Sequence, residues 1–248
     1  MRVIFIIICI SVLAACKKNS FHITERDIIT NSTVARLKVG YFSASVNNQG
    51  VQVKINGVRQ SNNLIYPIAF PGGGLNTGGS SNSDYLYLTP GETNVDISVP
   101  KARTDEDSVK IFNFAAPLEA GKRYTLFTTD TMPNVTGILV PDDTEAPTNT
   151  DARIKFINLM PNVPAVDFYQ RTTLVFGNVA YKSVTEYKNI PFGSDTFLIR
   201  AAGSGPTGTV IATRVIATAR QRIYTFFSRG YRTATGTRAP NVSALIVQ

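Results

Sequence analysis

Few side chains in this sequence can act as nucleophiles or as metal ligands. The chain has two cysteines, Cys9 and Cys16, one histidine, His22, and no tryptophan. Ser-His-Asp or Cys-His catalysis needs an imidazole held in a pocket, but His22 lies in a polar stretch just after Cys16. Protein zinc sites are built chiefly on histidine and cysteine. We therefore expect no metal and no cofactor, and we expect that the protein is not an enzyme.

Carboxylates are the remaining groups that could do chemistry. They cluster in Asp105-Glu106-Asp107 and in Asp142-Asp143-Thr144-Glu145. A calcium loop needs regularly spaced oxygen ligands, and glycoside hydrolysis needs two carboxyl groups that flank the scissile bond. Because neither cluster has the calcium spacing, solvated turns are the first expectation. Weak calcium binding and a carboxylate hydrolase stay as alternatives.

The thiol of Cys16 is placed for a different reaction. An apolar run from Val3 to Val12 leads into Leu13-Ala14-Ala15-Cys16, the order of a secretory signal with small residues at the cleavage site. The run is about half of the roughly 20 residues that a membrane span needs. The last four residues resemble the lipobox of bacterial lipoproteins. That resemblance implies cleavage before Cys16 and a lipid on Cys16, palmitate included, which anchors the chain to a membrane.

Positive charge is concentrated in the second half of the chain. Cys16 to Thr150 holds 12 basic and 13 acidic residues, whereas Asp151 to Gln248 holds 12 basic and 4 acidic ones. Such asymmetry can mark an anionic partner. An exported protein would meet lipopolysaccharide or an acidic glycan rather than nucleic acid. We therefore name four arginines as candidate contacts, and a merely solvated basic face is the alternative: Arg220, Arg222, Arg229 and Arg232.

Short strands separated by turns recur along the whole chain. Val51–Ile55 alternates apolar and polar residues and runs into Asn56-Gly57, a strong hairpin signal. No window has a sustained helical period, so we predict an all-β fold of two tandem immunoglobulin-like β-sandwich domains. The predicted boundaries are a signal peptide over 1–15, a tether over 16–33, a first domain over 34–140, a linker over 141–150 and a second domain over 151–248.

The two halves resemble each other, which supports a tandem repeat. Ala35-Arg36-Leu37-Lys38 matches Ala152-Arg153-Ile154-Lys155, and both halves end in an aliphatic strand, Ile138-Leu139-Val140 and Leu245-Ile246-Val247. One continuous sandwich is the alternative.

The second half carries a run that points to a family. Met160–Tyr169 and Thr173–Tyr181, followed by Ile190-Pro191-Phe192-Gly193, resemble the repeats of the domain of unknown function 4397 family. The likeness covers most of Asp151 to Phe227 and is much weaker in the first half. It implies exported, often tandem β-domains on bacterial lipoproteins, and it supplies no catalytic residues. Asp167 within the run is expected to cap a turn or pair with an arginine, with ligand contact as the alternative.

A glycine-rich segment, Pro71–Ser80, separates two strands of the first half. It lacks the lysine of a phosphate-binding loop, so a long flexible loop is expected. Tyr85 and Tyr87 beside it, with Tyr66, could stack on sugar rings.

Together these features predict a lipid-anchored outer-membrane lipoprotein that acts as a non-catalytic binding or structural module of the cell envelope. A surface glycan-binding accessory protein of a polysaccharide-uptake system is the alternative. The expected partners are the membrane and a glycan, lipopolysaccharide or an envelope protein. Lys17-Lys18 stands where an acidic surface-export signal would lie, which favours the periplasmic face over the cell surface.

Overall fold

The computed structural model describes residues 32–101 and 107–248. The signal peptide, Cys16 and most of the tether lie outside these residues. Within the described ranges the protein is all-β, as predicted, and its strands form four sheets that build two sandwiches. No helix in these ranges is long and apolar enough to span a membrane.

The first sandwich comes from the first half of the chain. Its two sheets are β10-β9-β1-β4, with β6 also paired to β1, and β3-β2-β7-β8. One further strand of this half, β5, belongs to a sheet of the second sandwich. The strands are β1 Ala35–Tyr41, β2 Gln52–Ile55, β3 Val58–Arg59, β4 Ile68–Phe70, β5 Gly74–Leu75, β6 Leu86–Leu88, β7 Gly91–Val99, β8 Val109–Leu118, β9 Arg123–Thr129 and β10 Thr136–Asp142.

The second sandwich repeats this plan. Its sheets are β14-β11-β17-β18-β5 and β13-β12-β15-β16, and a 3-10 turn at Gly236–Arg238 precedes the last strand. The strands are β11 Ala152–Asn158, β12 Ala165–Gln170, β13 Thr173–Ala180, β14 Lys188–Ile190, β15 Gly193–Ala201, β16 Val210–Thr218, β17 Ile223–Arg229 and β18 Asn241–Ile246.

Strand register makes the correspondence between the halves exact to the residue. Lys38 in β1 lies opposite Thr125 in the parallel strand β9, and Lys155 in β11 lies opposite Thr225 in the parallel strand β17. Lys38 therefore corresponds to Lys155, as the sequence repeat predicts.

The ends of the two halves correspond with a different alignment from the one that the aliphatic residues suggest. Pro141 lies opposite Tyr124, and Ile246 lies opposite Tyr224. Pro141 thus corresponds to Ile246, which shifts the sequence alignment by two residues. A shift of two keeps every side chain on its face of the sheet, so the apolar pattern alone could not distinguish the two alignments.

The inner sheets of the two sandwiches pack face to face. Every residue of β1 and of β17 is buried, which needs cover on both faces because successive side chains point to opposite sides. Phe42, Phe127 and Phe227 meet between the sheets, with ring centroids 4.3 Å apart for Phe42–Phe227 and 5.6 Å for Phe127–Phe227. The alternation in β1 therefore predicts its two faces correctly, but its polar face packs on protein rather than on solvent.

The glycine-rich segment ties the sandwiches together and is not a free loop. Gly74 and Leu75 form β5, which pairs with β18 of the second sandwich through Leu245↔Gly74 and Ala244↔Leu75. Arg229 donates to the carbonyl oxygen of Asn76 at 3.0 Å. The expectation of a long flexible loop is wrong, because backbone groups of this segment form hydrogen bonds with the second half of the chain.

The stretch between the halves is partly ordered as strand. β10 continues through Pro141 to Asp142, so the first two residues of the predicted linker belong to the first sandwich. A proline is tolerated here because β10 is an edge strand of its sheet.

Candidate functional site

Two buried lysines cross the interface between the inner sheets in opposite directions. Lys38 Nζ donates to the carbonyl oxygen of Ile246 at 2.7 Å, and Lys155 Nζ donates to that of Pro141 at 2.6 Å. The donors correspond to each other in the repeat, and so do the acceptors. The interface therefore has approximate two-fold symmetry, and each sandwich holds the last strand of the other.

Each lysine also lies over an aromatic ring. Lys38 Nζ is 4.4 Å from the ring centroid of Tyr85, and Lys155 Nζ is 4.7 Å from that of Tyr187. Tyr85 and Tyr187 correspond in the repeat, because they precede the strands β6 and β14 at matching positions. Such cation–π contacts offset part of the cost of burying the ammonium groups.

Asp142 breaks the two-fold symmetry of this interface. Its Oδ2 accepts from Thr125 Oγ1 at 2.6 Å and from Tyr85 Oη at 3.0 Å, and its Oδ1 lies 3.7 Å from Lys155 Nζ. The corresponding residue of the second half is Val247. Asp142 is thus the buried carboxylate whose charge acts most strongly on both lysines.

Burial has consequences for proton binding at this centre. Burial lowers the pKa of Lys38 from 10.5 to about 8, opposed in part by the charge of Asp142. Burial likewise lowers the pKa of Lys155 and raises that of Tyr85, the latter with help from Asp142. The protein therefore keeps a charged lysine at neutral pH at a cost in stability.

The free energy of unfolding should rise between pH 8 and pH 10 because of Lys38. Below pH 8 both folded and unfolded states hold this proton, but above it the unfolded chain, with its lysine pKa near 10.5, binds more protons than the folded chain. The expected slope is at most about 1.4 kcal/mol per pH unit. Urea unfolding of the wild type and of Lys38→Met across this pH window isolates the contribution of Lys38 to the pH dependence, since the two proteins share their other titrating groups. Parallel profiles for the two proteins would contradict it.

Two crevices open at the edge of this interface. The arginine crevice, of about 310 Å³, lies where the first sandwich meets the end of the second, and its lining includes Arg36, Asp84, Tyr85, Tyr87, Arg123, Arg222 and Gln248. The aspartate crevice, of about 620 Å³, also contacts Arg123, and its lining includes Lys122, Asp142, Asp143, Glu145 and Tyr187. The two share the approximate two-fold relation of the sheets.

The arginine crevice holds guanidinium groups with spare donors. Arg36 Nη2 donates to the carbonyl oxygen of Gly121 at 3.3 Å, and Arg123 Nη1 contacts the oxygens of Val247 and Gln248 at 3.3 Å. The Nε atoms of Arg36 and Arg123 are buried and have no hydrogen-bond partner among the described residues. Burial and the charge of Arg123 both lower the pKa of Arg36.

The structure does not bring the predicted arginines together on one face. Arg222 lines the arginine crevice directly before β17, whereas Arg229 is the last residue of that seven-residue strand, roughly 20 Å away. Arg232 follows three residues after the end of the strand. Arg229 is buried and donates to Ser243, Tyr66 and Asn76. Arg229 is thus a structural residue, because all of its donor groups face protein acceptors.

Arg220 and the tyrosines also have definite places. Arg220 is exposed and lies over the ring of Phe192, away from the crevice. Tyr85 is bonded to Asp142 and covered by Lys38, so its ring is not free to stack on a sugar. Tyr87 remains 57% exposed at the rim of the arginine crevice.

The carboxylates of interest are already bonded within the protein. Asp167 Oδ1 accepts from the backbone N–H of Asn178 at 2.7 Å, and its Oδ2 accepts from that of Gly203 at 2.9 Å. Asp143 pairs with Arg153 at 2.8 Å and caps the backbone of Thr144 and Glu145. Asp167 therefore caps a turn, one of the two roles expected for it. No group of three or more potential metal-ligating side chains occurs within residues 32–101 and 107–248.

Sequence reasoning missed most of the residues that build these crevices. Arg36, Lys38, Arg153 and Lys155 stood in the repeat that the sequence shows, but the groups that each of them contacts depend on how two sheets pack. The useful signal was that the same pattern of basic residues recurs on the polar face of the first strand of each half.

Comparison with known proteins identifies the family of this chain. The model of a domain of unknown function, DUF4397, matches residues 38–169 and 156–242, so the likeness extends through the first half as well as the second. No curated protein matches the chain. A solved structure described as a "putative cell adhesion protein" from Bacteroides uniformis ATCC 8492 covers 88% of this chain and 98% of its own, with 9% identity and a TM-score of 0.20. That score carries no structural argument, whereas the family match spans most of the chain. The chain belongs to the DUF4397 family.

Proposed function

We propose that this protein is a lipid-anchored module of the bacterial cell envelope that binds or braces other envelope components without catalysing a reaction. The observation that carries the proposal is the use of the buried centre. Lys38, Lys155 and Asp142 are buried charged groups, and all three contribute to the contact between the two sandwiches. A centre occupied in this way supports a rigid body rather than an active site.

The sequence supplies the anchor for this rigid body. Cys16 after Leu13-Ala14-Ala15 is the proposed site of lipid attachment, and Lys17 to Thr33 would serve as the tether. Stable anchoring takes two acyl chains or more, since each buried methylene contributes about 0.8 kcal/mol. Outer-membrane residence, with the periplasmic face preferred, is part of the proposal.

Replacing Cys16 with alanine should abolish the incorporation of labelled palmitate into the protein, because Cys16 is the proposed site of lipid attachment. Cys9→Ala is the matched control, because Cys9 leaves with the signal peptide and its loss should not change palmitate incorporation. A Cys16→Ala protein that still incorporates labelled palmitate would overturn lipid attachment at Cys16.

Glycan capture at the cell surface is the second candidate, and the exposed ring of Tyr87 at the crevice rim favours it. Protease shaving of intact cells separates the two. Loss of the protein from intact cells supports surface glycan capture, and digestion only after lysis supports the periplasmic module.

A further inference from the structure

We propose that the arginine crevice binds the acidic group of a saccharide, a sugar that carries a phosphate or a carboxylate. This inference rests on the proposed binding role of the module and names the class of ligand for it. The crevice joins Arg36 and Arg123 of the first sandwich to Arg222 of the second. Guanidinium groups suit such oxyanions because their donors match carboxylate and phosphate geometry.

The internal repeat shows what is missing from this crevice. In the second half, Arg153 corresponds to Arg36, and it is neutralised by Asp143 at 2.8 Å. Pro141 corresponds to Ile246 by strand register, so the residues that follow them correspond in order. Asp142 therefore corresponds to Val247, and Asp143 corresponds to Gln248. Among the described residues Arg153 therefore has an ion pair with a carboxylate, whereas Arg36 has none and shares its crevice with the amide side chain of Gln248.

Guanidinium N–H groups without partners in the arginine crevice agree with this difference between Arg36 and Arg153. Arg36 is only 7% exposed, yet its Nε has no hydrogen-bond partner among the described residues, and the same holds for the buried Nε of Arg123. A buried polar group without a partner costs about 1–3 kcal/mol, more when it is charged. Asp84 and the main-chain carboxyl group of Gln248, the last residue of the sequence, also lie in the crevice, but none of its three guanidinium groups makes an ion pair with a carboxylate among the described residues. An incoming anion would supply that partner.

The rest of the lining suits a sugar rather than a bare anion. Ser83, Asp84 and the side-chain amide of Gln248 offer polar groups to hydroxyls, and the exposed ring of Tyr87 offers a flat face at the rim. The volume of about 310 Å³ is at the small end of the range for small-molecule sites. These features favour one acidic monosaccharide unit, free or at the end of a larger glycan.

Calorimetric titration of four probes tests the inference: glucose 1-phosphate, glucuronate, glucose and inorganic phosphate. The full chain is used as its Cys16→Ser form with the affinity tag at the amino end, so a failure of lipid anchoring cannot affect the result. At low ionic strength at least one acidic sugar should bind saturably and more tightly than glucose or phosphate. Absence of saturable binding by both acidic sugars, or equal binding of inorganic phosphate, would overturn the inference.

Two variants separate the crevice from general charge. Arg222→Gln should weaken binding of the acidic sugar about tenfold, whereas Arg220→Gln removes the same charge two residues away and should change it less than about twofold. Gln248→Glu places a carboxylate where the counterpart has Asp143 and should also weaken binding. Equal losses in Arg222→Gln and Arg220→Gln would show that only net charge matters and would contradict the site.

Discussion

Replacing Phe227 with alanine should lower the free energy of unfolding by about 3–5 kcal/mol. Phe227 has no exposed surface and lies between the inner sheets, in contact with Phe42 and Phe127. Its loss leaves a cavity that two packed sheets cannot close without moving against each other. Urea unfolding, followed by far-UV circular dichroism and by tyrosine fluorescence, measures the change.

The matched control is Phe192→Ala. Phe192 is 43% exposed and contacts Arg220 at the surface, so its replacement should cost far less, on the order of 1 kcal/mol or below. We also expect the two sandwiches of the wild type to unfold in a single transition, because their inner sheets share one buried layer. A loss below about 1 kcal/mol in Phe227→Ala would show that this layer contributes little.

Asp142→Asn should destabilise the protein by about 3–5 kcal/mol. The side chain of Asp142 is fully buried, and it accepts from Thr125 and Tyr85 while it lies 3.7 Å from the buried Lys155. Removing its charge leaves two ammonium groups, those of Lys38 and Lys155, without a buried counter-charge. The free energy of unfolding at pH 7 is the quantity to measure.

A double variant distinguishes lost charge from lost packing. Adding Lys155→Met to Asp142→Asn should restore part of the stability, since it removes the ammonium that the first change left unpaired. Glu92→Gln, an exposed carboxylate of the first sandwich, should change stability by less than about 0.5 kcal/mol. Additive losses in the double variant would mean that Asp142 and Lys155 do not interact.

The sequence indicated the class of fold because strand patterns are local. Alternation in Val51–Ile55 and in β1 shows which side chains share a face, and the matching of Ala35–Lys38 to Ala152–Lys155 shows the repeat. What covers each face is not local. Lys38 on the polar face of β1 is fully buried because the other sandwich packs on it, and the alternation of the strand does not reveal that cover.

The candidate site was predictable only in part for the same reason. Arg222 was named from the charge of the second half and does line the arginine crevice, but Arg229 was named with it and is buried in a structural role. Arg36 and Arg123 come from the half whose net charge is near zero, so composition gave no reason to choose them. The missing counterpart of Asp143 emerges only from strand register, which a two-residue shift in the sequence alignment concealed.

The most direct test of the account is an NMR titration of the arginine Nε–H signals with glucose 1-phosphate. Arg36 and Arg153 occupy equivalent positions in the repeat, but among the described residues only Arg153 has an ion pair with a carboxylate, that of Asp143. Saturable shifts are expected for Arg36, Arg123 and Arg222, and an unchanged signal is expected for Arg153, which Asp143 already occupies. Equal shifts at Arg36 and Arg153, or no shift at any of them, would contradict it.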